Sequence, residues 1–295
     1  MARHISNMRY KLPRPFYTLC LFAAIMLQGC APTYFTQEEM IESVKHLCKK
    51  EYKADVKAAI VGKTMGVYMP IKGLFDLKTM QLSAKAFEKA DGVMLSVSRV
   101  ALSGSREINF YTVVTADKDV PGAEVAITRY VKDLRRFMHR DISRGEFGKR
   151  VVVDVRFNPQ AIIDKWSGGF TVDDLTMENF ICQQASRRIT DAFTIDPKLA
   201  GRFKVTECAG SLQDKAFVFN VDISREGLPM SELIHGKAWH DEVLNLCAKT
   251  IAHVVWAYSY EDFDKITIVN KFDSKILVIE KIEASKYRKR RVNIE

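Results

Sequence analysis

The chain has 295 residues, 47% of them hydrophobic, with 45 Lys and Arg against 36 Asp and Glu and a net charge of +9. That length and apolar content supply one large or two ordinary domains with a normal core, and exclude a disordered or collagen-like chain. Four of the nine excess positive charges lie in the first fifteen residues, so the remainder is only mildly basic, too little to point to nucleic acid.

At the N-terminus, Arg3, Arg9, Lys11 and Arg14 occur without an acid and precede an apolar run over residues 16–27. This is the order of a secretory signal, and the run is shorter than the roughly 20 residues a membrane-spanning helix needs. The run ends in Leu27-Gln28-Gly29-Cys30: an aliphatic residue, a variable one, a small one and a cysteine. The segment resembles the signal peptide and lipobox of bacterial lipoproteins. The resemblance implies cleavage before Cys30, diacylglyceryl attachment to the Cys30 thiol, and acyl chains, such as palmitate, each contributing about 0.8 kcal/mol per buried methylene. Ala31 stands where the inner-membrane retention signal of that class carries Asp, so the resemblance implies the outer membrane, facing the periplasm. Met8 is an alternative start that gives a shorter signal. On this reading residues 1–29 are the signal and 30–35 a lipidated tether.

From Thr36 the chain shows alternating helical and strand periodicities. Residues 36–50 open on Thr36 with Glu38 and Glu39 behind it, a cap and first-turn acids, and carry Met40, Ile41, Val44, Leu47 and Cys48 on one face. Residues 56–60 and 64–71 read as a hairpin around Gly62-Lys63. A long helix is expected over 77–102, with Leu82, Phe87, Ala90, Met94, Val97 and Ala101 as its stripe, then strands over 108–115 and 124–129 split by a turn-rich segment ending in Pro121-Gly122. The second half repeats the order: a helix over 177–193, strands over 202–208 and 216–223, a helix over 231–258, and strands over 265–269 and 275–281. The repeat is one of pattern and not of residue identity.

The expected fold is therefore α+β, with two similar modules of helix-strand-strand-helix-strand-strand, each a mostly antiparallel sheet with helices on one face. The first module spans 36–157, including a helix over 130–143 and a strand over 150–157 that bridge the copies. A linker rich in Pro, Gly and Trp occupies 158–174, the second module 175–283, and a basic tail 284–295.

Strong catalytic signatures are absent: no GxSxG, HExxH, GxxxxGK[ST] or GxGxxG occurs. His235, His240, Asp241 and Glu242 form the densest titratable cluster, but two histidines five apart lie about 140° apart around a helix and do not chelate one metal. His253 sits among Ile251, Ala252, Val254 and Val255, and Cys208 has no histidine near it in sequence, so both read as structural. Cys48, Cys182, Cys208 and Cys247 lack metal spacing and read as core thiols; Cys182 with Cys247 is the first pairing to consider if a bridge forms. No metal and no cofactor is implied.

Basic surface is the more informative feature. Lys132, Arg135, Arg136, His139 and Arg140 fall on one face of the 130–143 helix, opposite Val131, Leu134, Met138 and Ile142, and Arg288, Lys289, Arg290 and Arg291 make a positive tail. Both suit an anionic lipid, an acidic envelope protein or an anionic envelope polymer, and neither calls for nucleic acid. The sequence thus points to a lipid-anchored envelope protein that acts by binding, as a scaffold or assembly component. An envelope hydrolase with its site between the modules, or a small-ligand carrier with an apolar cavity between sheet and helices, is the alternative.

Overall fold

The computed structural model describes residues 36–76, 78–79, 81–104, 106–157, 172–197, 199–227 and 237–287. The signal and lipobox, most of the linker, His235 and the Arg288 to Arg291 tail lie outside the described residues.

The first module opens on helix α1 (Gln37–Tyr52), started by a capping box in which Thr36 accepts from Glu39 N while the Glu39 carboxylate accepts from Thr36 N. Strands β1 (Lys57–Val61) and β2 (Thr64–Ile71) form the hairpin, turned at Gly62, whose φ of 55° only glycine adopts freely. Helix α2 (Ala84–Ser103) then leads to β3 (Phe110–Asp117) and β4 (Ala123–Tyr130). Short helices α3 (Val131–Met138) and α4 (Arg144–Lys149) lead to β5 (Val152–Phe157). The five strands lie in sequence order, antiparallel except for β2 and β3, which are parallel. A parallel neighbour needs a crossover of a dozen or more residues, and α2 supplies it.

The second module repeats the plan with α5 (Met177–Thr194), β6 (Phe203–Gln213), β7 (Ala216–Arg225), α6 (Lys237–Ala257), β8 (Lys265–Asn270) and β9 (Lys275–Glu280), closed by the four-residue helix α7 (Lys281–Ala284). Its four strands are again in sequence order, with β7 and β8 the parallel pair. The α+β class and the repeated order are as the periodicities predict.

The likeness extends to the turns. Asp117 and Asn270 close the third strand of their modules, both fully buried, and both accept backbone N–H groups: Asp117 from Phe75 and Asp119, Asn270 from Ile223 and Phe272. The next residue in each, Lys118 or Lys271, donates to the second strand, at Ile71 O or Val221 O. Val131 N and Lys281 N, which start α3 and α7, donate to Asn109 O and Asp264 O, each one residue before the third strand. Thus α3 and α7 are also counterparts.

Three expectations need adjustment. Helix α2 starts at Ala84 and not near residue 77, because Asp76 accepts from Lys78 N and Thr79 N in a side-chain turn and Phe75 pairs with Leu82 as a β-bridge. Leu82 and Phe87 are exposed, and the buried stripe is Ala86, Ala90, Val93, Met94, Val97 and Ala101. The helix over 130–143 stops at Met138, and β5 joins the first sheet as its fifth strand.

The modules are joined by a buried polar knot. Arg150 Nη1 donates to Asp133 Oδ1 at 2.8 Å, and Tyr258 Oη donates to Asp133 Oδ2 at 3.0 Å; the side chains of Asp133 and Arg150 are 3% and 5% exposed. Arg150 also donates to Glu146 at 2.9 Å, approaches Ala257 O at 3.4 Å, and lies 5.0 Å over the Tyr258 ring. Around it, Phe110 and Tyr130 of the first module meet Phe180 and Tyr258 of the second in tilted and edge-to-face contacts at centroid distances of 5.2 to 6.2 Å. The end of the linker is held to the first module at Asp174, which accepts from Lys63 N at 2.9 Å, so close to Gly62 that a Cβ there would collide with it. Removing one partner of a buried ion pair leaves the other charge without compensation, a loss of about 3–5 kcal/mol. Arg150→Ala and Asp133→Ala should each lower the stability read by urea unfolding by that order, and the double variant should lose clearly less than the sum; additive losses would show that the pair does not act as a unit.

Candidate functional site

Strand alternation gives the first sheet two faces. Met65, Val67, Tyr111, Val113, Val125 and Ile127 point into the core under α1 and α2, and Gly66, Thr112, Val114, Ala126 and Thr128 point the other way. Across from that helix-free face lie Gln183, Ser186, Arg187 and Thr190, which share the outer side of α5 at helical spacing, and Cys208 to Gly210 of β6. Together they enclose a cleft of about 470 Å³ between the modules. Its floor is low because Gly66 and Ala126 carry little or no side chain, and the two hydroxyls beside them, Thr112 and Thr128, bond each other at 2.9 Å.

The positive charges of the cleft are tethered. Arg156 of β5 bonds Glu124 at 3.1 Å and Arg187 bonds Asp191 at 3.1 Å, with Asp154 and Asp173 also on the lining. Burial pushes the Cys208 thiol up to about 11, opposed by a hydrogen bond from Ser186 and assisted by Glu207. At neutral pH that thiol is almost wholly protonated, and no histidine is among the described residues of the lining. The cleft presents hydroxyls, an amide, two paired guanidiniums and the carboxylates of Asp154 and Asp173, a set suited to holding a polar group.

A second groove of about 730 Å³ runs between the edge of β5 and α5, with Val151, Val153, Ala192 and Ile195 as its apolar part and Arg187 and Arg188 beside them. The cavity that a small-ligand carrier would need between sheet and helices is not among these two; both lie at the boundary of the modules.

The residues singled out from sequence are dispersed. Lys132, Arg135 and Arg140 are exposed, Arg140 with a φ of 61° just past α3. Arg136 turns inward, 3.5 Å from Asp133 and 3.4 Å from Ala257 O, and belongs to the knot. His240 is buried against the Trp239 ring, and its Nδ1 meets Asp273 Oδ2 in the β8–β9 turn, while Glu242 pairs with Arg202 at the surface. The titratable cluster at the start of α6 therefore splits into a core histidine and a surface ion pair. All four cysteines of the modules are free, and Cys182 and Cys247 are both buried without bridging. Among the described residues no group of three or more His, Cys, Asp or Glu could hold a metal ion. Sequence patterning missed the cleft because most of its residues are small or neutral and they come from seven separate segments.

No family model, no curated protein and no solved structure matches the chain.

A half-buried, protonated Cys208 predicts slow chemistry. Alkylation of Cys208 by iodoacetamide at pH 7, localised by peptide mass spectrometry, should be at least about tenfold slower than that of an exposed thiol, and its rate should still be rising above pH 9.5. A rate that levels off near pH 7 would mean an activated thiol and would revive a catalytic reading of the cleft.

Proposed function

We propose that the protein is a lipid-anchored component of the bacterial cell envelope, held at the outer membrane through Cys30 and acting by binding, as a scaffold or assembly component. The observation that carries this reading is the lipobox Leu27-Gln28-Gly29-Cys30, placed directly after a charged n-region and a short apolar run. Among the described residues no helix is long and apolar enough to cross a membrane, so the lipid is the attachment this reading relies on.

Binding is supported by the cleft. A site built between two modules joined by a buried hydrogen-bonded contact, floored by small residues and walled by hydroxyls and tethered arginines, can seat a polar segment of a partner with little rearrangement. Lys132, Arg135 and Arg140 give the first module an exposed basic edge for an acidic envelope protein, an anionic polymer or anionic headgroups, each charge contributing on the order of 1 kcal/mol near an anionic surface and screened over about 8 Å. The tail residues Arg288, Lys289, Arg290 and Arg291 would add to that attraction. A hydrolase working from the same cleft would need an activated nucleophile, and the Cys208 thiol on the described lining is held protonated by burial.

Intact mass and membrane fractionation of the native protein, beside Cys30→Ala, test the proposal. The native mass should correspond to cleavage before Cys30 plus two or three acyl chains, and the variant should keep neither lipid nor membrane attachment. A native protein that is unlipidated and found in the soluble fraction would overturn it.

A further inference from the structure

Among the described residues, three of the four sheet edges carry a protective device, and the fourth does not. The β1 edge is capped, since Gln37 Nε2 donates to Ile60 O and Arg106 donates to Gly62 O. The β6 edge is interrupted by a register shift between Val205 and Glu207. The β5 edge alternates exposed charges, Asp154 and Arg156, with its apolar residues. Strand β9, of sequence Lys-Ile-Leu-Val-Ile-Glu, pairs with β8 in unbroken register, contains no proline, and has no charge between its end residues Lys275 and Glu280. Unprotected edges of this kind are templates for strand pairing.

The open face of β9 is also apolar. Ile276 is 62% exposed and Val278 48%, while Leu277 and Ile279 turn into the core. The first module shows what this position accepts. Its counterpart of β9 is β4, by the shared α3 and α7 starts, and β4 is covered along its length by an antiparallel strand, β5. Among the described residues nothing takes that place beside β9.

We propose that the β9 edge pairs with the β9 edge of a second copy of this chain, antiparallel about a two-fold axis through Leu277, making one eight-stranded sheet across the dimer. A two-fold axis that joins edges in this way stands perpendicular to the sheet, so only residues of the same face come opposite. With the axis at Leu277, Ile276 faces Val278 of the second copy twice, Leu277 faces itself, Lys275 faces Ile279 and Glu280 faces Ser274. On the open face the exposed apolar side chains meet each other, and no like charges are opposed on either face, which is what cross-strand pairing favours. Moving the axis to Val278 sets Ile276 against Glu280, and moving it to Ile276 sets Val278 against Ser274. The self-complementarity selects a second copy over an unrelated strand.

Size-exclusion chromatography with light scattering on the full chain, at a few tens of micromolar and corrected for any bound detergent, should give twice the chain mass. Ile276→Lys with Val278→Lys places four charges in the pairing zone and should give the single mass; both positions are exposed in one copy, so thermal unfolding should be close to that of the unaltered protein. As a second readout that does not depend on those lysines, Ile276→Cys with Val278→Cys should form a disulfide-linked dimer under mild oxidation in native membranes. A single-mass native protein, a dimer that persists with both lysines in place, or a cysteine pair that fails to cross-link would overturn the proposal.

Discussion

The buried contact among Asp133, Arg150 and Tyr258 is the constraint on which the arrangement of the two modules depends. Its charges come from the first module, and its phenol and the Ala257 carbonyl from the second. Taking a carboxylate and a guanidinium out of water costs several kcal/mol each, which only close, multiple hydrogen bonds offset. Here burial still prevails at the carboxylate, for Asp133 is pushed above the usual carboxyl range in spite of Arg150 and Tyr258 beside it. The pair therefore contributes less to net stability than a well-packed apolar contact could. What it adds is direction: the apolar cluster of Phe110, Val152 and Phe180 can slide, whereas an Asp with two fixed donors cannot.

That fixed direction makes the two modules one body without making them one core. Each keeps its own apolar interior, one under α1 and α2 and one under α5 and α6, and the strand-end clamps at Asp117 and Asn270 recur inside each. The recurrence of a buried Asp or Asn, followed by a lysine whose N–H returns to the second strand, is a more specific likeness than strand order alone. It is geometric, and it survives at low residue identity because a short polar side chain with two acceptors or an acceptor and a donor can satisfy the same orphan backbone groups.

The periodicities made the elements legible to within a few residues because most of them are amphipathic, and period 3.6 and period 2 are unambiguous when one face is buried. The capping residue Thr36 was readable for the same local reason. Two things were not. Leu82 and Phe87 fit the helical stripe of α2, yet the Asp76 turn delays the helix and leaves both in water, an outcome decided by a turn outside the pattern. Arg136 fits the basic face of α3, yet the second module lies against that flank, and a charge facing water has the same sequence signature as one facing another module. The knot residues Asp133, Arg150 and Tyr258 are up to 125 positions apart, so no local reading joins them.

The cleft follows from the same architecture. A sheet with helices on one face must still do something with the other, and in the first module that face is covered in part by the second module. Full apolar packing there would have required large side chains at Gly66, Thr112, Ala126 and Thr128; small and hydroxylated ones stand there instead, with the two hydroxyls satisfying each other. Opposite them, α5 turns its polar flank of Gln183, Ser186, Arg187 and Thr190 toward the gap. Two polar walls held apart by a knot that neither can shift leave a space that is polar, shaped and already formed. A space of that kind lowers the ordering cost of whatever polar group enters it, and so the junction that orients the modules is also what prepares the site.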